Sequence, residues 1–332
     1  MSTSLPGTAN RVTRTRSSPL PRVACIGECM IELREQADGR LTRGFGGDTL
    51  NTAIYLARLG VSVDYATALG DDGWSDEMLA SWKAEGVGTD LVVRLPGRLP
   101  GLYVIQTDDK GERRFSYWRA NAPARDLFAL PETDALCHAL VRYNLIYFSG
   151  ITLSLYGEHG RERLFEAIER CRASGCRIAF DTNFRPSGWP DRSAAKSAYY
   201  RAFGSADILL ASQEDLELLF GNSGAAEFET CLNIQERILK LQGPACRVAG
   251  ADIDTIVETS PVAPVDTTAA GDSFAAAYLA ARLADRSIQE AARIGHWLAG
   301  IVVCHPGAII PSSAMPEKLR SELSHLFREN SA

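Results

Sequence analysis

Short apolar runs alternate with stretches of helical period along most of the chain. Residues 23–27 (Val-Ala-Cys-Ile-Gly) read as a buried strand, and Met30-Ile31-Glu32-Leu33 alternates as a second extended run. A turn at Gly46-Gly47-Asp48, with Asp48 as N-cap, opens a helix that carries Leu50, Ala53, Ile54 and Ala57 on one face and stops at Gly60. Further strands are predicted over 61–68, 145–148, 177–181 and 208–211. Helices are predicted over 75–85, 161–173, 194–203 and 214–220. Late in the chain an extended segment, 261–265, leads into an Ala-rich helix from Ser273 to Arg286, where Phe274, Ala277, Tyr278 and Ala281 keep helical spacing. Such alternation predicts an α/β fold: a mostly parallel central sheet between two helical layers.

One region breaks the alternation. Leu102-Tyr103-Val104-Ile105-Gln106 and residues 113–119 are strand-like runs joined by the turn 107–111, with no helix between them. An antiparallel excursion of this kind is expected to stand off the main sheet as a small β-sheet lid.

At 332 residues, 45% hydrophobic and 23% charged, the chain has enough apolar material for a large core. The net charge of −6 speaks against a nucleic-acid partner. No apolar run is long enough to span a membrane. Residues 1–21, rich in Ser, Thr, Arg and Pro, lack the apolar core of a secretory signal and are expected to be a disordered tail. The eight cysteines form no C-x-x-C pair and are expected to be structural thiols in a reducing cytoplasm.

The candidate chemistry gathers in Asp266-Thr267-Thr268-Ala269-Ala270-Gly271-Asp272-Ser273-Phe274. Small residues at the start of a helix let backbone N–H groups approach an oxyanion at the positive end of the dipole. Asp272 in the same turn adds a proton acceptor, the pairing that phosphoryl transfer to an alcohol requires. The same residues also suit a helix whose first-turn Asp merely stabilises the dipole. Ligands of open α/β sheets bind beyond the carboxyl ends of the strands. That rule brings in Gly46-Gly47-Asp48, Ser149-Gly150 and Asp181-Thr182-Asn183-Phe184-Arg185. Asp48 and Asn51, one turn apart, suit adjacent sugar hydroxyls, although a capped helix after a glycine turn reads the same way. Arg119 and Arg185, at the ends of strand-like runs, would supply bidentate partners for a carboxylate, which neutral sugars do not need.

The run D-T-T-A-A-G-D-S-F resembles the C-terminal signature of the PfkB (ribokinase-like) family of sugar kinases, and G-G-D-x-x-N resembles the family's N-terminal sugar-binding motif. Within it, G-G-D-T-L-N-T-A, Tyr117-Trp118-Arg119, D-x-N-F-R-P and G-A-I-I-P (307–311) are similar to 2-keto-3-deoxygluconate kinases. The resemblance implies a ribokinase-like three-layer α/β/α domain over 22–316, a lid formed by about 30–45 and 91–119, and a C-terminal helix or tail over 317–332. It also implies ATP and Mg2+ as cofactors and a small-molecule sugar acid as substrate, phosphorylated on its 6-hydroxyl. Asp272 would be the catalytic base, and Ala269, Ala270 and Gly271 the anion hole. Gly46, Gly47, Asp48, Asn51, Tyr103, Tyr117, Arg119 and Arg185 would bind the sugar, and Asn183, Ser212, Lys240, Gly243 and Gly271 the nucleotide. Asp215 would serve the metal. Two departures stand out: the family's N-x-x-E falls here at Ser212-Gln213-Glu214-Asp215, and its K-x-G turn at Lys240-Leu241-Gln242-Gly243, with an extra residue and a short stretch to Ser260. Two copies are expected to pair through the lid edge, and the lid to close over bound substrate.

Three rivals were weighed. Gly271-Asp272-Ser273-Phe274 superficially matches the G-D-S-L block of some hydrolases, but no D-x-x-H accompanies it. A non-catalytic sugar-binding protein would be expected to lack the base, and Asp272 is present. Another sugar kinase of the family, a fructokinase or ribokinase, stays open. Gly44-Phe45-Gly46-Gly47 lacks the last glycine of a dinucleotide fingerprint, and no P-loop sequence occurs.

Overall fold

A computed structural model describes residues 21–36, 38–107, 113–231 and 233–329. The tail expected over 1–21 therefore lies, except for residue 21, outside the described residues, as does the hairpin tip. Among the described residues the strands are β1 (Arg22–Ile26), β2 (Met30–Glu35), β3 (Leu41–Gly46), β4 (Ser62–Gly70), β5 (Val92–Leu95), β6 (Leu102–Thr107), β7 (Arg113–Trp118), β8 (Leu145–Ser149), β9 (Arg177–Asp181), β10 (Ile208–Ser212), β11 (Glu236–Lys240), β12 (Ala245–Gly250) and β13 (Ile253–Glu258). Nine of them form one sheet in the order β13-β12-β11-β10-β9-β8-β1-β4-β5. From β11 to β5 every pairing is parallel, and β12 and β13 add an antiparallel edge.

Both faces of this sheet are covered, which is why its central strands are unbroken apolar runs rather than alternating ones. In β1, Val23 and Cys25 enter one core with helices Asp48–Arg58, Gly73–Ala84, Ala270–Leu283 and Ile288–Val302. Ala24 and Ile26 enter the other, with helices Thr133–Leu140, Glu158–Ala173, Arg192–Ser205 and Gln213–Phe220. The strand period of two thus divides one five-residue run between two helical layers. The three-layer α/β/α architecture and mostly parallel sheet stand as the sequence suggested.

The hairpin β6–β7 is antiparallel and joins β2 and β3 in a separate four-stranded sheet, β3-β2-β6-β7. Of the two segments expected as a lid, 30–45 supplies β2 and β3 and 91–119 supplies β6 and β7, whereas β5, also within 91–119, pairs with β4 at the edge of the main sheet.

Several local expectations change. Residues 261–265 form no strand; the last strand before the signature is β13, and the amides of Val265 and Asp266 instead donate to the Val303 carbonyl at 2.7 and 3.1 Å. Prolines at 261 and 264 cannot donate to a ladder, which disfavours a strand there. The stretch from Gly243 to Ser260, short as it is, holds the whole β12–β13 ribbon. The N-cap of the first helix is Gly47, not Asp48, which is the first helical residue and makes no capping bond. Seven cysteines are buried, but Cys304 is exposed.

A buried carboxylate ties the sheet to one helical layer. Glu236, at the start of β11, accepts from Arg177 at 2.6 Å, from Arg282 at 2.7 and 2.8 Å and from the Tyr278 hydroxyl at 2.8 Å. Burial alone would raise its pKa, but the bonds from Arg282, Arg177 and Tyr278 outweigh it and hold the group below the ordinary carboxylate range. With a depressed pKa, its contribution is present above the unfolded value and lost as pH falls through the folded one. Glu236→Ala is expected to cost about 2–3 kcal/mol near neutral pH, since it leaves two guanidinium groups unpartnered. Urea unfolding should show that loss, shrinking in acid; a loss independent of pH would mean that packing, not charge, carries the effect.

Candidate active site

The carboxyl ends of the parallel strands converge with the N-termini of two helices, Asp48–Arg58 and Ala270–Leu283. Gly47 is glycine here because of close approach: a Cβ would stand 2.1 Å from the Glu28 carbonyl oxygen. The packed joint brings Asn51 to Asp272, and its amide donates to Asp272 Oδ2 at 2.8 Å. Asp48 Oδ2 accepts from Ser149 Oγ at 2.5 Å and from Asn183 Nδ2 at 2.8 Å. Asp48 is thereby fixed at the floor of the first of two clefts.

That first cleft, about 1410 Å³, lies between the small sheet and the main body; Gly47, Asp48, Tyr117, Arg119 and Arg185 line it, with Glu28. Arg98 and Arg125 line it too, so four arginines face one cleft, a setting that favours an anion of sugar size. Three of them have carboxylate partners: Arg119 ion-pairs with Glu28, Arg98 lies 2.9 Å from Asp126, and Arg185 lies 3.6 Å from Asp215. The second cleft, about 790 Å³, is lined by Lys240, Gly243, Thr267, Gly271, Phe274 and Trp297 among others. Its mixture of a cation, small residues and aromatic surface suits a nucleotide.

Asp272 lies on the first turn of the helix whose Ala270 and Gly271 line the second cleft, and the charge of Asp48, which lines the first, acts on it. No side chain caps that helix. Its N-cap, Ala269, adopts the left-handed φ of 61°, a conformation an alanine takes only when its surroundings impose it. Lys240 Nζ would lie 3.5 Å from a Cβ at residue 271, so a cation, an uncapped helix start and a bare backbone meet at one point. These are the elements of an anion hole.

The electrostatics follow from crowding. The pKa of Asp272 is pushed up to about 8: removal from water contributes most, the Asp48 charge next, and Asp181 adds to it, while Asn51 and Lys240 oppose. Lys240 pairs with Asp181 at 3.0 Å. Burial works against the lysine's charge, but the Asp181, Asp215 and Asp272 carboxylates outweigh it and raise its pKa.

Other expected site residues fall elsewhere. Tyr103 does not line the first cleft; it is buried under Gly46, where a Cβ would stand 2.1 Å from its hydroxyl, and that hydroxyl is held by Glu32. Its ring instead supports Tyr117, at 5.9 Å between centroids. Asn183 serves Asp48 rather than the second cleft, and Ser212 accepts from the Asp215 amide as the N-cap of the Gln213–Phe220 helix. Asn51 gives its Nδ2 to Asp272, while its buried Oδ1 has no hydrogen-bond partner among the described residues.

Asp215 takes a 2.7 Å bond from Thr182 besides its Arg185 contact, and Asp181 is paired with Lys240. Among the described residues no three His, Cys, Asp or Glu side chains gather as a metal site. This donor set does not fit a Mg2+ held by protein alone.

Sequence reasoning missed Glu28, Glu32 and Arg34. Arg34, on β2, reaches Asp266 at 3.3 Å, and Asp266 also accepts from the amides of Thr268 at 2.8 Å and Gly307 at 2.9 Å. Only the register of the small sheet against the signature loop reveals that link; nothing in the strand pattern marks residue 34.

A family profile described as pfkB family carbohydrate kinase matches residues 20–315. The 2-dehydro-3-deoxygluconokinase of Dickeya dadantii (strain 3937) is 42% identical over 306 residues, covering 89% of this chain and 98% of that protein. A 2-dehydro-3-deoxygluconokinase structure from Thermotoga maritima superposes with a TM-score of 0.80 at 21% identity, over 93% of this chain and 100% of that one. The fructokinase of Xylella fastidiosa, solved with bound ATP, gives a TM-score of 0.76 at 25% identity over 94% and 99%.

Because the folded state holds the Asp272 proton to higher pH than the unfolded chain does, ionisation of this group costs stability progressively between the ordinary Asp range and about pH 8. Asp272→Asn removes that cost and keeps an acceptor for Asn51. The variant is expected to melt above the parent protein at pH 8, with the gap narrowing toward pH 4. A gap that is constant or reversed in differential scanning calorimetry would show that Asp272 ionises normally.

Proposed function

The chain belongs to the pfkB family of carbohydrate kinases, and we propose that it transfers the γ-phosphoryl of ATP to the 6-hydroxyl of 2-keto-3-deoxygluconate, giving 2-keto-3-deoxy-6-phosphogluconate. The observation that carries this reading is the placement of Asp272. It is a carboxylate with a raised pKa at an uncapped helix start whose Gly271 lines a cleft with a lysine and aromatic walls, and it feels the charge of Asp48, which lines a cleft with four arginines.

In this reading Asp48 and the Gly47 backbone orient the sugar, with Ser149 and Asn183 fixing the Asp48 carboxylate. Arg119 and Arg185 take the substrate carboxylate, in the bidentate geometry that guanidinium offers. Tyr117 contributes a face of the same cleft. Asp272, held by Asn51, accepts the proton of the 6-hydroxyl as the oxygen attacks. A pKa near the working pH suits a base that must be both ionised and able to keep the proton it takes. Charge building on the migrating phosphoryl group is met at the start of the Ala270–Leu283 helix by the Gly271 amide and by Lys240. ATP, when bound, supplies the phosphoryl group; Mg2+, if it accompanies the nucleotide, would rest chiefly on phosphate oxygens.

Asp272→Asn is expected to lower kcat by about a hundredfold or more with little change in KM. An ADP-release assay across 2-keto-3-deoxygluconate, 2-keto-3-deoxygalactonate, fructose, ribose and adenosine measures both the loss and the substrate. Retention of near-parental kcat would remove Asp272 from the role of base, and preference for a neutral sugar would overturn the substrate.

Arg119→Gln and Arg185→Gln should each raise KM for the sugar acid by about 10–100-fold, the scale of one hydrogen-bonded charge, and leave a neutral sugar nearly unaffected. Equal losses on both substrate types would assign these arginines to structure instead.

A further inference from the structure

Glu28 follows directly on β1, beneath the first cleft, and has no place in the chemistry above. It is 3% exposed, lines the cleft, and pairs with Arg119, yet neither of its carboxylate oxygens takes part in a well-formed hydrogen bond. A buried carboxylate is normally held by several donors. Among the described residues, Arg119 is the one cation paired with it.

The pair sits in a prepared space. A Cβ at Gly101 would stand 3.0 Å from Glu28 Oε1 and 3.1 Å from the Arg119 Cβ, so a side chain at 101 would crowd both partners. Arg119 follows β7 of the small sheet, and Glu28 lies in the link from β1 of the main sheet to β2 of the small one, so the contact sits at the joint between the two sheets. Its guanidinium is also within 5.9 Å of the Tyr117 ring centroid, on the wall of the same cleft.

We propose that Glu28 is a built-in stand-in for the carboxylate of the substrate: it holds Arg119 until a sugar acid displaces it, and takes up a proton from solvent as it gives up that cation. The inference rests on the reading of Arg119 as a ligand for the acid. Its chemical logic is exchange. An incoming carboxylate that forms a bidentate pair with Arg119 leaves Glu28 buried without its partner, and a buried unpaired carboxylate protonates rather than stay charged.

The other groups facing Glu28 do not replace the lost cation. Arg125, from the short turn of helix Pro123–Asp126, acts on it only at longer range than Arg119. Asp48 repels its charge, and the Tyr156 phenol and Cys29 thiol, both driven up by burial, carry none near neutral pH. Burial already raises the Glu28 pKa even with Arg119 opposing. Loss of the arginine can only raise it further.

Two consequences separate this device from a plain structural ion pair. Sugar-acid binding should be proton-linked, with affinity falling as pH rises through the window between the paired and unpaired pKa of Glu28. Selectivity for acids over neutral sugars should also be enforced, because a neutral sugar offers Arg119 nothing in exchange for Glu28.

Isothermal titration with 2-keto-3-deoxygluconate, without nucleotide and in buffers of different ionisation enthalpy, tests both. The parent protein should take up protons on binding, and its affinity should fall as pH rises. Glu28→Gln and Glu28→Met, both checked by thermal melting, should lose that uptake and bind the acid several-fold more tightly at alkaline pH; Asp272 is common to all three proteins and cancels. Undiminished uptake in both variants, or affinity no better than the parent's, would overturn the proposal. Arg119→Gln separates the two levels. If it weakens acid binding while the Glu28 variants behave as the parent, only the stand-in fails; if it changes nothing, the reading of Arg119 fails as well.

Discussion

The crowding of carboxylates at the carboxyl edge of the main sheet is the constraint on which the rest of the site depends. Asp48, Asp181 and Asp272 all act on one another electrostatically, and Lys240 is the cation they share. Left alone, three such charges would expel one another or neutralise. The fold holds them by surrounding each with a donor: Ser149 and Asn183 for Asp48, Lys240 for Asp181, Asn51 for Asp272. The residual repulsion falls on Asp272 and adds to burial, the larger cause, in raising its pKa. A negative site that awaits a phosphate is workable only because an uncapped helix start and a lysine face it.

The arrangement depends in turn on how the small sheet meets the large one. Gly46 and Gly47 end β3 and begin a helix of the main body, and both are pressed against neighbours so closely that no Cβ fits. Gly46 lies on the Tyr103 hydroxyl, which Glu32 holds; Gly47 lies on the backbone of Glu28. Arg34 carries the same contact across to Asp266 and so to the signature loop. The lid strands are therefore joined to the anion hole by a short chain of charged contacts, not merely laid over the cleft. A change in the small sheet has a physical route to the signature loop.

Opposite charges in the sugar cleft follow a similar logic. Arg119 and Arg185, the proposed receivers of the acid, are each paired with a carboxylate of the protein, Glu28 and Asp215. An acidic chain can thus keep guanidinium groups in a cleft with their charge already partnered. Recognition of the acid becomes a local exchange of partners, in which net charge plays little part.

The sequence by itself determined the alternation of strands and helices, the hairpin that breaks it, and the two glycine-rich joints at 46–48 and 269–271. These are local features, set by period and by backbone space, and period is what apolar spacing encodes. It placed Asp272 at a helix start and Arg119 at a strand end for the same reason. It misjudged segments whose structure depends on partners far along the chain. The 261–265 run looked extended yet pairs with no strand, its amides turning to Val303. Tyr103 looked like a substrate contact yet lies beneath Gly46, because the register of β6 against β2 aims it there. The role of Asn51 in holding Asp272, 221 residues away, was not legible in the sequence. Glu28, Arg34 and Ser149 draw their meaning from groups that only the folded sheet brings within reach. Spacing along a chain fixes which face a side chain takes; which charge it meets there is decided by tertiary packing, since that pairing joins residues with no local relation to one another.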